Sequence, residues 1–129
     1  MLYPVNGISL GVAGALLVAG VLVYRQIGRF GVARFAGLVE VRPKEHEQKL
    51  IVTGLHGRVR HPIYLAHLCM YLFWTVSSGL FILYVLLPAV LVLAAVMISL
   101  EERELYRRFG DAYGEYAKQT PAVLPLRFR

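Results

Sequence analysis

Cysteine is almost missing from this chain. Cys69 stands alone among 129 residues, which excludes an intramolecular disulfide and any four-thiolate metal site. Its place inside an apolar run marks it as a small hydrophobe. Charge is sparse at 17% of residues, and acid is the scarcer sign, with 8 Asp and Glu against 14 Lys and Arg. No Ser-His-Asp set, phosphate-binding glycine loop or metal-ligand spacing can be assembled, so those chemistries find no support. His46 lies between Glu45 and Glu47 in the polar run 43–49, and such a solvated triplet is read as no metal site. Repeats and low-complexity tracts are absent too.

What the chain has instead is apolar length. Hydrophobic residues make up 57% of it and the mean hydropathy is +0.57. The excess is gathered into residues 8–24 and 62–100, the distribution expected of an integral membrane protein. The net charge of +6 is compatible with nucleic-acid binding or with basic flanks of membrane spans. Arg25, Arg29, Arg34, Arg58, Arg60, Arg103, Arg107 and Arg108 sit beside the apolar blocks, which favours the membrane and predicts no nucleic-acid partner. No basic leader precedes the first block, so residues 1–24 are predicted to hold a retained span. It is rich in small residues, Gly7, Gly11, Gly14, Ala15, Ala19 and Gly20, and the spacing of Gly7 and Gly11 lets another helix approach closely.

Residues 62–100 carry no formal charge. One helix of that length would measure about 58 Å at ~1.5 Å per residue, too long for a hydrocarbon core of ~30 Å. Ser77-Ser78-Gly79 breaks the run into two antiparallel spans, 62–78 and 80–100. Pro88 is predicted to kink the second. Residues 101–118 read as an amphipathic helix, with Leu105, Phe109, Ala112 or Tyr113, and Tyr116 on one face, ending before Pro121. The expected fold is therefore a single all-α membrane domain: one N-terminal span, an interfacial segment 25–61, a helical hairpin, an amphipathic helix and a tail, 119–129. Loop charge predicts an outside N-terminus and a cytoplasmic C-terminus.

Two places carry candidate chemistry. Arg60-His61-Pro62-Ile63-Tyr64 opens the second span, and Pro62 suits a first helical turn. Free N–H groups and the helix dipole favour an anion there. The bland reading, Arg60 as a headgroup anchor, stays open. Glu101-Glu102 closes the third span and, in an antiparallel hairpin, returns to the level of His61. It reads either as an acceptor for a cationic ligand or as a solvated helix end. Tyr64, His67, Tyr71, Thr75 and Ser78 run along one side of the second span.

Leu50-Ile51-Val52-Thr53-Gly54-Leu55, the Arg60–Tyr64 block, Glu101-Glu102, Leu105, Phe109-Gly110, Tyr113, Tyr116, Pro121 and Pro125 together resemble the isoprenylcysteine carboxyl methyltransferase family, with related phospholipid methyltransferases sharing much of the pattern. The resemblance implies a membrane-integral enzyme that takes S-adenosylmethionine at a cytosolic site and methylates a lipophilic acceptor. Carried over, Gln48, Lys49, Leu50, Ile51, His56, Arg60, His61, Pro62, Ile63, Tyr64, Glu101 and Glu102 would form the cofactor site. His67, Tyr71 and Met97 would face the acceptor. Two departures stand out: His56 replaces a frequent tyrosine, and Met97 occupies the place of an arginine that serves prenylcysteine. The family's additional N-terminal spans are missing from this sequence, which implies a minimal core, a partner subunit or a homo-oligomer through the glycine-rich span. A sterol reductase using NADPH has a similar Arg-His-Pro start, and a non-catalytic membrane protein retaining the fold is the third reading.

Overall fold

The computed structural model describes residues 2–35 and 50–125, with side chains between 28 and 35 left aside. Expectations for residues 36–49, including His46, Gln48 and Lys49, and for the side chains of Arg29 and Arg34, lie outside the described residues. Those described form four α-helices and one 3-10 turn, with no strand among them.

Helix α1 runs over Gly7–Phe35. Its start is fixed locally. Asn6 Oδ1 accepts from the Ser9 amide at 2.9 Å, while Ser9 Oγ accepts from the Asn6 amide at 2.9 Å, a reciprocal cap that satisfies two otherwise idle donors. The sequence reading ended the span at Tyr24, but the helix continues. Arg25 and Gln26 are good helix formers, and no proline interrupts them. The apolar portion, Gly7–Ile27, is 21 residues long, enough to cross a bilayer.

Helix α2, Pro62–Ser78, has the expected bounds. Pro62 occupies its first turn, and Gly79 ends it in the left-handed region at φ 69°, where an L side chain is strained. A Cβ on Gly79 would also approach the Tyr3 carbonyl oxygen to 3.1 Å. Helix α3 is Phe81–Phe109, 29 residues, and is the second helix long and apolar enough to span. Pro88 lies within it without ending it. Its uncharged stretch, 81–100, measures about 30 Å and matches a hydrocarbon core. The remaining turns, from Glu101, project beyond. The expected boundary at Leu100 is therefore a change of polarity and not of backbone. The expected amphipathic helix 101–118 is instead divided at Gly110 (φ 54°, ψ −132°), after which α4 runs from Asp111 to Gln119.

Packing also differs from the expected hairpin pair. Helix α2 lies along α1, and few close backbone approaches join it to α3. Gly20 explains the preference: a Cβ there would meet Met70 Sδ at 3.2 Å and Cys69 Cβ at 3.3 Å. Buried Ala13 and Ala66 are small enough for helices to approach closely, whereas α3 presents bulky Leu and Val and buries no residue. Gly7, Gly11 and Gly14 have open space around them among the described residues, so the approach expected at Gly7 and Gly11 is made at Gly20 instead.

Both ends of the hairpin are tied. At the turn, the Tyr3 amide donates to Gly79 O at 2.8 Å, the Tyr3 hydroxyl donates to Thr75 O, and Tyr71 donates to Leu83 O at 2.7 Å. At the other end the 3-10 turn Gly54–Gly57 and buried Val59 lead into α2. There residues 121 and 122 return alongside 60 and 61, with Arg60 N donating to Pro121 O at 2.9 Å and His61 N to Ala122 O at 2.8 Å.

Candidate functional site

The beginning of α2 and the charged end of α3 meet, as the antiparallel arrangement requires. His61 stands at the N-cap of α2 and is only 4% exposed. Its Nδ1 is 3.2 Å from Glu101 Oε2, and its Nε2 is 3.2 Å from Glu102 Oε1. Tyr64, one turn into α2, donates its hydroxyl to Glu101 Oε1 at 2.9 Å and lies edge-on to the His61 ring at 5.9 Å. Adjacent acids on one helix thus grip the two sides of a single imidazole.

The two acids have different surroundings. Glu101 is 46% exposed in its side chain. The hydrogen bond from His61 holds its carboxyl below the usual glutamate range, against the opposing effect of burial and with help from Tyr64. Glu102 is turned inward to Arg60, whose Nε and Nη2 reach its Oε1 at 3.0 Å and 2.5 Å. Arg60 Nη1 donates to the carbonyls of Ala117 at 2.6 Å and Thr120 at 2.7 Å. A cation over the last carbonyls of a helix satisfies acceptors that the helix cannot satisfy itself. Arg60 therefore docks α4, and its guanidinium is engaged within the chain instead of standing open as an anchor.

Helix α4 completes this end. Tyr116 donates to His56 O at 2.5 Å. Tyr113 is 2% exposed, and burial, then the charge of Glu102, push its phenol up to about 12. Its hydroxyl is the buried side-chain polar atom without a partner among the described residues.

The start of α2 keeps a donor in reserve. Pro62 has no N–H, and the amides of Tyr64 and Leu65 turn back to His61 O at 3.2 Å and 3.4 Å. The Ile63 N–H of the first turn takes no partner among the described residues. Half-buried Leu50 and Ile51 precede the 3-10 turn. Gly57 is required there, since a Cβ would come within 3.0 Å of Val52 O.

Of the sequence-predicted cofactor residues, His61, Pro62, Ile63, Tyr64, Glu101, Glu102 and Arg60 gather at one end of the hairpin, and His56 is tied to it through Tyr116. The acceptor candidates do not converge. His67 is exposed, edge-on to Tyr24 of α1 at 5.7 Å. Tyr71 gives its hydroxyl to the beginning of α3. Met97 is 49% exposed on α3. Sequence reasoning missed the pairing of residues 121–122 with 60–61 and the carbonyls taken by Arg60. Pro121 signalled only where α4 must stop.

Over about two thirds of its length the chain matches characterised proteins, among them the following three. It is 32% identical over 97 residues to protein-S-isoprenylcysteine O-methyltransferase B of Arabidopsis thaliana, covering 71% of this chain and 47% of that protein. It is 34% identical over 88 residues to the protein-S-isoprenylcysteine O-methyltransferase of Schizosaccharomyces pombe, covering 67% and 37%. The chain thus resembles the isoprenylcysteine methyltransferase family over about two thirds of its length. It is also 38% identical over 91 residues to a delta(14)-sterol reductase of Mus musculus, covering 67% of this chain and 21% of the reductase. The chain thus spans less than half the length of each of these relatives. No protein-family model matches it, and no solved structure does. The methyltransferase relatives and the two apolar helices agree on a membrane protein.

Proposed function

We propose that this chain is a membrane-embedded methyltransferase that takes S-adenosylmethionine at the α2–α3 end described above and methylates a lipophilic acceptor. The observation carrying the proposal is Glu101: a carboxylate fixed by His61 and Tyr64, yet 46% exposed, beside a helix start that retains the Ile63 N–H. The amino-acid end of the cofactor bears an ammonium and a carboxylate. Glu101 would accept from the first, and the start of α2 would donate to the second. Half-buried Leu50, Ile51 and Ile63 supply apolar surface for the rest. The donor set therefore fits the group. When bound, the cofactor supplies a sulfonium methyl that is already electrophilic. The protein's part is to hold donor and acceptor in line and to exclude water.

The membrane reading extends to three crossings. Helix α2 has 17 residues, about 26 Å of rise, near the lower limit for a span. Arginine at Arg25, Arg58, Arg103 and Arg107, against a turn at 77–79 without any, supports an outside N-terminus and a cytoplasmic site. Met97 in place of a basic residue leaves the stretch 81–100 of α3 without Lys or Arg to meet an acceptor carboxylate, which favours an amine, thiol or headgroup acceptor. Open glycines on α1 support a second subunit there.

The sterol reductase match favours one other reading, an NADPH site. Heat-unfolding curves of the detergent-purified protein with each cofactor separate the two, because a ligand of the folded state raises the midpoint. Protection by S-adenosylmethionine and not by NADPH is expected; the reverse overturns the proposal. Transfer of a labelled methyl group to a membrane lipid extract then distinguishes an enzyme from a binding protein that has kept the fold.

A further inference from the structure

His61 presents a hydrogen-bonding problem whose solution assigns a role to Glu102. Both ring nitrogens lie 3.2 Å from carboxylate oxygens, and an ionised carboxylate only accepts. A neutral imidazole has one N–H, so one of the two contacts would set lone pair against lone pair. Both contacts are satisfied only if each nitrogen carries hydrogen. The ring has little else to turn to: it is 4% exposed, and its backbone N–H is held by Ala122 O. Among the described residues, the charged and titratable groups around it are Arg60 before it, Tyr64 on α2, Glu101 and Glu102 on α3, and Tyr113 of α4 beside Glu102. Arg60 and a doubly protonated His61 balance the two glutamates, giving a cluster with no net charge.

We propose that Glu102, clamped by Arg60, is a positioning residue that keeps a hydrogen on both nitrogens of His61, so that Nδ1 is committed to Glu101 and Glu101 alone faces a ligand. One oxygen of Glu102 receives Arg60 Nε, Arg60 Nη2 and His61 Nε2, which fixes the ring from its far side as an outer carboxylate fixes a ligating histidine. Glu101 and Glu102 are then not equivalent members of an acidic pair: the first meets the ligand and the second acts through the imidazole. This division of roles rests on the cofactor reading, but the state of the ring does not.

The test uses the full chain in detergent, labelled with 15N in histidine, at neutral pH and without ligand. The His61 signals are assigned by their loss in His61→Gln. Two protonated ring nitrogens are expected in the wild type, and one bare nitrogen in Glu102→Gln. A bare nitrogen in the wild type overturns the inference even if the variant does not fold, and so does a ring unchanged by Glu102→Gln. Binding of S-adenosylmethionine supplies the second readout. Glu102→Gln is expected to weaken it about 10-fold, the scale of one charge-assisted hydrogen bond, and less than Glu101→Gln does. An equal or larger loss refutes the division between the two acids. Absent binding in a wild type whose ring is doubly protonated would refute the cofactor reading while leaving the assignment of the ring intact.

Discussion

Replacing Arg60 by alanine should release α4 from the rest of the protein. The helix has 9 residues and contains Gly114, so it is far too short to persist on its own in water. Backbone bonds from residues 60 and 61 to Pro121 O and Ala122 O hold its end, and its last turn rests on the Arg60 side chain, which is 13% exposed and joins Glu102 to the carbonyls of Ala117 and Thr120. Hydrogen bonds to charged groups are worth about 1.5–3 kcal/mol each. Breaking a buried pair from one side costs about 3–5 kcal/mol. Water reaching the freed carbonyls recovers part of this, and Tyr116 keeps its bond to His56. A net loss of about 3 kcal/mol for docking α4 follows, which raises its open population by roughly 150-fold. Hydrogen exchange followed by mass spectrometry reads this directly, in the peptide covering 111–119. The α1 amides around Gly20 serve as the internal control. Exchange in 111–119 within about threefold of wild type would refute the reasoning, since Arg60 would then not hold the helix.

Glu101→Gln should weaken S-adenosylmethionine binding by roughly 10- to 150-fold, the value of one hydrogen bond to an ammonium, in a calorimetric titration; a Kd within threefold of wild type contradicts the assignment. Gly20→Val forces a side chain against Met70 and Cys69 at distances already as short as 3.2 Å, and should destabilise the α1–α2 pair by about 1–3 kcal/mol, seen as a lower Tm in detergent. The lowered pKa of Glu101 makes its ionised form the one the fold favours. Its stabilising contribution is therefore complete above the ordinary value of 4.5 and fades as the pH falls through the lower folded value. Tm measured against pH should drop more steeply in acid for wild type than for Glu101→Gln, and parallel curves would contradict the contact with His61.

The helices were legible where one residue decides the backbone. Pro62 and Gly79 gave α2 its bounds, because a ring without N–H and a left-handed turn each have few alternatives. Polarity was a poorer guide: α1 passes Arg25 and α3 passes Glu101 because arginine and glutamate are good helix formers wherever the membrane ends. Gly110 divides the charged end of α3 from α4, although the apolar spacing of Leu105, Phe109, Tyr113 and Tyr116 reads as continuous. Partner choice was not visible either. Gly20 was one small residue among several, and only the fitted surfaces of Met70 and Cys69 single it out. At the candidate site, the approach of His61 to Glu101 follows from an antiparallel hairpin alone. The part played by Arg60 does not, since it depends on where residues 117–122 return, a long-range pairing without a local signature. The family resemblance added the cofactor, which spacing could not name.

The central claim is tested most directly by titrating S-adenosylmethionine into the wild-type chain, purified in detergent, in a calorimeter. Saturable binding at one site per chain is the expected result. Heats no larger than dilution at every concentration, from protein whose helices are intact by circular dichroism, would contradict a cofactor site between His61 and Glu101.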